Sequence, residues 1–267
     1  MGHAATFRKA RDRARAAGGK LWLRVEDLDQ QRCRPEWTTG ILEDMAWMGL
    51  DWDPFPGDSK GWVRQSDHLA HYRTVLINWI RRDLIYPCFH SRKTIQEHPE
   101  HRVLPDGESL FPKELRPNES NPAGLPGNPF QVNWRWRVED GSILRFEDGR
   151  LGHQAFEAGR DFGDFLVWTK AGYPSYEMAV VVDDARMGVT EVVRGADLLR
   201  STARQLLLYQ ALGQKSPAFF HTALLSDPNG QRLAKRYDSV SIAHFREAGH
   251  SPDWVWDQCA KASVVTA

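Results

Sequence analysis

Cysteine is scarce: Cys33, Cys88 and Cys259 are the only three in 267 residues and lie far apart. That excludes the dense disulfide framework of a small secreted domain and points to a reducing, cytoplasmic setting. Long apolar runs are missing too. The longest, such as residues 179–182, fall far below the roughly 18 residues that a spanning helix needs, so no membrane partner is expected. Net charge is absent, because 35 Lys and Arg balance 35 Asp and Glu. A nucleic-acid partner would have to be met by a local patch rather than by the field of the whole molecule. No internal repeat breaks the chain. Residues 7–17 are rich in Arg and could mimic a transit peptide, but no cleavage-type sequence follows and they read as a structural helix. What remains is ordinary globular usage, 41% hydrophobic and 26% charged, in a chain long enough for one or two domains.

Periodicity organises the chain as a layered α/β protein. Residues 4–17, rich in Ala and Arg, predict a helix stopped by Gly18-Gly19. Residues 20–26 alternate Leu21, Leu23 and Val25 as a half-buried strand. Helices are predicted over 36–48, 67–84, 202–212, 241–248 and 252–262. Residues 99–129, dense in Pro, Gly and Asn, read as a long irregular insertion. Strict alternation of Val132, Trp134, Trp136 and Val138, a turn at Glu139-Asp140-Gly141-Ser142, and residues 143–147 predict a hairpin. Further strands are expected at 165–169 and 219–222, and at 178–183, which is apolar enough to be buried on both faces.

Several constellations carry chemistry, each with a plain structural alternative. Residues 26–29 place three carboxylates at the end of a strand, where open α/β sheets bind ligands, or where a solvated loop turns. Asp183-Asp184 could hold a metal or cap a turn. Arg232, Lys235 and Arg236 follow Asp227-Pro228-Asn229-Gly230, a mobile basic loop able to close over phosphates or simply to stay solvated. Cys88 and His90, with His98 and His101 nearby, are zinc-ligand types, but the second Cys pair of a zinc site is missing. Trp134 and Trp136 could stack bases or serve as core.

Taken in order, Gly2-His3-Ala4, residues 23–29, residues 173–184, Val193-Arg194-Gly195-Ala196-Asp197 with Thr202, Arg204 and Gln205, and Arg232-Leu233-Ala234-Lys235-Arg236 resemble the catalytic domain of glutamyl-tRNA synthetase. The last resembles the KMSKS signature of class I aminoacyl-tRNA synthetases. Each motif alone is weak, but five in the family's order across nearly the whole chain are specific. Only 31 residues follow Arg236, which leaves no room for a helical anticodon-binding domain. That brevity is similar to the truncated family of glutamyl-queuosine tRNA(Asp) synthetases.

The resemblance implies a Rossmann-like nucleotide-binding domain with an inserted acceptor-type subdomain. It divides the chain into 1–84 and 166–225 for the catalytic domain, 85–165 for the insertion, and 226–267 for the KMSKS-like loop and closing helices. It implies a monomer that activates L-glutamate with ATP and Mg2+ to glutamyl-adenylate, then transfers the glutamyl group to the queuosine base of tRNA(Asp). Alternatives are a fragment of a glutamyl-tRNA synthetase charging tRNA(Glu), and a non-catalytic relative. Carried over by position, Glu26 binds the substrate ammonium, Tyr176 hydrogen-bonds the amino acid and Arg194 grips a carboxylate. Gly2, His3, Arg232 and Lys235 meet ATP, with His3 and Lys235 as the catalytic pair. No protein nucleophile is implied. Met1-Gly2-His3 matches only the last three positions of the family's H-I-G-H signature, so the strand before it, its first histidine and an upstream arginine are expected to be missing. Only Cys88 matches the family's zinc ligands, so no zinc and no other protein-held metal is expected.

Overall fold

The computed structural model describes residues 2–58, 60–117, 127–226, 241–261 and 263–265. The eight described helices are α1 (Gly2–Ala16), α2 (Pro35–Trp47), α3 (Leu69–Arg81), α4 (Arg92–Gln96), α5 (Tyr176–Met187), α6 (Leu199–Leu212), α7 (Ile242–Glu247) and α8 (Pro252–Lys261). The first strands are β1 (Arg24–Val25), β2 (Val63–Arg64), β3 (Ile85–Cys88), β4 (Arg102–Val103), β5 (Ser109–Leu110) and β6 (Asn133–Trp136). They are followed by β7 (Ile143–Asp148), β8 (Gly152–Glu157), β9 (Phe165–Trp168), β10 (Glu191–Gly195), β11 (Ala218–Thr222), β12 (Leu224–Ser226) and β13 (Ser263–Val265). The result is a mixed α/β protein, as the sequence pattern implies.

Two sheets enclose the main core. One has the order β10-β11-β7-β8, with β10, β11 and β7 parallel and β8 antiparallel to β7. The other is antiparallel, in the order β3-β6-β9. Helices α3, α5 and α6 join them in one hydrophobic cluster that includes Tyr72, Leu76 and Trp79 of α3, one stripe at helical spacing. Trp134 and Trp136 are core residues. Trp136 packs edge-on against Trp79 at 5.4 Å, and the Trp134 indole donates to the Pro129 carbonyl at 2.8 Å. A buried Trp N–H usually finds such an acceptor.

Two expected elements are corrected. Residues 178–183 form no strand; they are the middle of α5, buried from Glu177 to Asp184. A helix surrounded by protein has no polar face, so its sequence shows an apolar run instead of a 3.6-residue stripe. Its ends are conventional: the Ser175 side chain accepts from the Met178 N–H, and Gly188 at φ 67° closes it in the left-handed conformation that glycine adopts freely. The expected hairpin of 131–138 with 143–147 also does not form. The turn at Gly141 exists, but β6 pairs with β3 and β9, while β7 pairs with β8. The aromatic alternation found the face of β6, not its partners.

The segment over 20–26 forms a ladder only at Arg24–Val25, parallel to Val63–Arg64. Between this pair and β10 lies a cavity of about 550 Å³, walled by α1, Leu21, Leu23 and Val193. Helix α1 lies against β10, and Arg13 grips Glu191 with two hydrogen bonds of 3.0 and 2.6 Å.

Candidate active site

The carboxyl ends of β1, β10 and β11 open onto one cavity of about 330 Å³, the position at which open α/β sheets take ligands. Five of the residues picked from the sequence line it: Gly2, His3, Glu26, Tyr176 and Arg194. Their elements come from four separate stretches of chain. Gly2 and His3 are the first residues of α1, whose free backbone N–H groups suit an anion. Glu26 follows β1, with its carboxylate exposed and 3.1 Å from the Arg24 guanidinium. Tyr176 is the first residue of α5, and Arg194 lies near the end of β10. Thr6, Phe7, Gly195, Asp197, Leu198 and Leu224 also face it.

Charge is divided across this cavity. Arg194 is buried, at 8% exposure. Its Nη2 donates to Thr202 Oγ1 at 2.7 Å, its Nε to His221 Nε2 at 3.2 Å, and its Nη1 to the Tyr176 hydroxyl at 3.5 Å. The Tyr176 ring is open to solvent while its hydroxyl turns inward, where burial pushes its pKa up to about 12 despite the opposing pull of Arg194. It is therefore a neutral donor at physiological pH. A cation and an anion on one small cavity can hold a ligand bearing an ammonium and a carboxylate.

The neighbouring carboxylates have other work. Asp27 accepts from the Ser66 N–H at 3.0 Å and hydroxyl at 2.8 Å, and Asp29 pairs with Arg32 at 2.6 Å. Asp27 thus ties its loop to the segment after β2, and Asp29 closes a local turn. Asp183 accepts from Tyr72 at 2.7 Å and Gln65 at 2.9 Å, and Asp184 is bound by Arg24. Both anchor α5. Glu177 points away from the cavity, where Gln205 donates to it at 2.8 Å and burial raises its pKa. Cys88 is buried and accepts from Arg135 at 3.4 Å, while His101 contacts Ser109. Among the described residues no group of three or more His, Cys, Asp or Glu could hold a metal ion. Arg232, Lys235 and Arg236, and the loop that carries them, lie outside the described residues.

Sequence reading overlooked what stands behind Arg194. His221 is fully buried, and its Nδ1 lies 2.7 Å from Asp148 Oδ2. The available signal was a histidine at an inward position of a strand, next but one to the core residue Phe219. Its partner, 73 residues away, had no local mark.

The family model described as tRNA synthetases class I (E and Q), catalytic domain, matches residues 1–264. The chain is 41% identical over 256 residues to the Glutamyl-Q tRNA(Asp) synthetase of Nitratidesulfovibrio vulgaris, covering 93% of this chain and 78% of that protein. A protein of the same name from Symbiobacterium thermophilum is 41% identical over 262 residues, 96% of this chain and 80% of the relative. The glutamate–tRNA ligase of Aquifex aeolicus is 34% identical over 243 residues, 90% of this chain but 49% of the ligase. Among solved structures, a glutamate tRNA ligase from Elizabethkingia meningosepticum in complex with its amino acid superposes with a TM-score of 0.72 at 27% identity. It matches 88% of this chain, which spans 49% of that one.

Proposed function

Since the chain belongs to the catalytic-domain family of the class I glutamyl- and glutaminyl-tRNA synthetases and is a ligase-type enzyme, we propose that it joins glutamate to the queuosine base of tRNA(Asp), with glutamyl-adenylate as intermediate. The observation that carries this reading is the single cavity that gathers Gly2, His3, Glu26, Tyr176 and Arg194. Glu26 takes the substrate ammonium, and the buried Arg194 fork takes the side-chain carboxylate. Glutamine offers a neutral amide to that fork and leaves a buried cation uncompensated, which is how a small pocket rejects it.

MgATP enters as substrate. Magnesium would arrive with the phosphates as part of that substrate. The glutamate α-carboxylate attacks the α-phosphorus, the bond to the bridging oxygen breaks, and pyrophosphate leaves. The N-terminus of α1, with His3, and Lys235 stabilise the charge that gathers on the departing group. A hydroxyl of the queuosine cyclopentenediol then attacks the activated carbonyl, loses its proton and expels AMP, leaving an ester. Preference for this acceptor is supported by relatives of that name, which match over 78% and 80% of their length, against about half for the glutamate–tRNA ligase.

The deciding experiment follows labelled glutamate onto RNA. Transfer to tRNA(Asp) containing queuosine should survive removal of the 3′-terminal adenosine and vanish when queuosine is replaced by guanosine. Glutamylation of tRNA(Glu) that needs the terminal adenosine would instead assign the chain to ordinary tRNA charging.

A further inference from the structure

Behind Arg194, which lines the cavity, His221 and Asp148 stand in line through the core and do not line it themselves. Asp148 is saturated with donors. Its Oδ2 accepts from the His221 ring at 2.7 Å and from the His221 backbone N–H at 3.0 Å. Its Oδ1 accepts from the backbone of Leu151 at 2.9 Å and Arg150 at 3.1 Å. Burial alone would raise its pKa, but these donors hold it below the ordinary carboxylate range. Facing such a carboxylate, the ring nitrogen Nδ1 must carry a proton. Burial lowers the His221 pKa, and the charges of Arg194 and Arg150 push the same way, so the ring keeps only that one proton near neutral pH.

A neutral ring protonated at Nδ1 has a lone pair at Nε2, and Nε2 is the atom that meets Arg194 Nε at 3.2 Å. Thr202 Oγ1, itself 3.2 Å from Nε2, takes Arg194 Nη2 at 2.7 Å. One edge of the guanidinium is therefore fixed at two points. Of its five N–H groups, one on Nη1 reaches the Tyr176 hydroxyl at 3.5 Å, and the other on Nη1 and the second on Nη2 are left for the cavity. A planar fork fixed along one edge has its plane fixed too, so little of the arginine's rotamer entropy remains to be lost on binding.

We infer that His221 is a positioning residue for substrate specificity: held in its Nδ1-protonated form by Asp148, it sets the Arg194 fork so that the open edge meets a carboxylate and only donors face the substrate. An amide NH2 brought to that edge meets donor against donor. This inference rests on reading the cavity as the glutamate site, and its test separates the two.

L-glutamate and ATP binding are measured by calorimetry for the parent protein and for His221→Leu, His221→Gln and Arg194→Ala. Glutamate- and glutamine-dependent ATP–pyrophosphate exchange is followed alongside. His221→Leu, which removes the acceptor, should weaken L-glutamate binding and shrink the glutamate-over-glutamine preference by about tenfold or more, while ATP affinity stays within about twofold. His221→Gln, whose amide oxygen can stand near Nε2, should recover glutamate binding to within about threefold of the parent. In the unsubstituted protein at neutral pH, 15N spectra of the imidazole should give a protonated Nδ1 and bare Nε2. A ring protonated at Nε2 would overturn the inference, as would a folded His221→Leu protein that binds glutamate like its parent. If Arg194→Ala weakens glutamate binding and His221→Leu does not, only the positioning role falls. If Arg194→Ala changes nothing, the glutamate site itself is wrong. Should the leucine variant fail to fold, the spectra and the glutamine variant decide.

Discussion

Replacing Arg194 by alanine should separate glutamate from ATP. The guanidinium is buried, at 8% exposure, with its inner edge on His221 and Thr202 and its outer edge toward the cavity. Truncating one partner of a buried, hydrogen-bonded charge pair costs about 2–5 kcal/mol of binding. A middle value of about 3 kcal/mol corresponds to about 150-fold weaker glutamate binding. The fold itself should lose less, because His221 Nε2 and Thr202 Oγ1 already lie 3.2 Å apart and can pair once the arginine is gone. Arg194→Lys sharpens the test. Lysine keeps the charge, but a point charge cannot hold His221 and Thr202 and still offer two parallel donors. It should therefore recover only part of the loss and remain about tenfold or more below the parent. Calorimetric titration with L-glutamate, and separately with ATP, measures both effects on folded protein. Equal losses for the two ligands, or a lysine variant as good as arginine, would refute the bidentate geometry.

Three further outcomes are expected. Lys235→Ala should slow adenylate formation by about 2–4 kcal/mol, by analogy with loss of one preorganised donor, while calorimetric glutamate binding holds; an unchanged rate would move the phosphate role to Arg232 or Arg236. Arg24→Met strips the cation from Asp184 and Asp183 and should destabilise the fold by about 3–5 kcal/mol in urea unfolding. An unfolding midpoint equal to the parent's would count against it. Finally, the folded pKa of His221 is depressed below its usual value. Stability should therefore fall as pH drops below about 6.5, where the unfolded ring gains a proton and the buried one does not, by at most about 1.4 kcal/mol per pH unit. His221→Gln should flatten that slope in unfolding curves, and an unchanged slope would mean another group titrates.

Local signals predicted local structure. Helices α2, α3 and α6 begin and end within three residues of their expected limits, because apolar spacing and the glycines after α2 and α6 are written in a few adjacent residues. The failures share a cause. Burial of α5 on all sides erased its stripe, and the partners of β6 lie in distant strands that no adjacent residue marks. The site behaved the same way. Pattern alone favoured a solvated loop over a ligand site at residues 26–29; the family resemblance singled out Glu26, and the structure gives Asp27 to a tether on Ser66 and Asp29 to a turn. Asp148 and His221 escaped because their meaning lies in a contact across the core, not in their neighbours along the chain.

Helix α5 links the cavity to the whole molecule in a way that time can measure. Tyr176, its first residue, lines the cavity, while the residues from Met178 to Val182 are 3% exposed or less. Amide protons there reach solvent only when the protein opens globally, so their deuterium exchange reads its full unfolding free energy. A ligand that binds only the folded form, present at 100 times its Kd, adds about 2.7 kcal/mol to that free energy. Exchange along these amides should then slow about a hundredfold. A single peptide covering residues 178–182 becomes a clock for occupancy, able to rank amino acids, nucleotides and tRNA fragments without label or turnover.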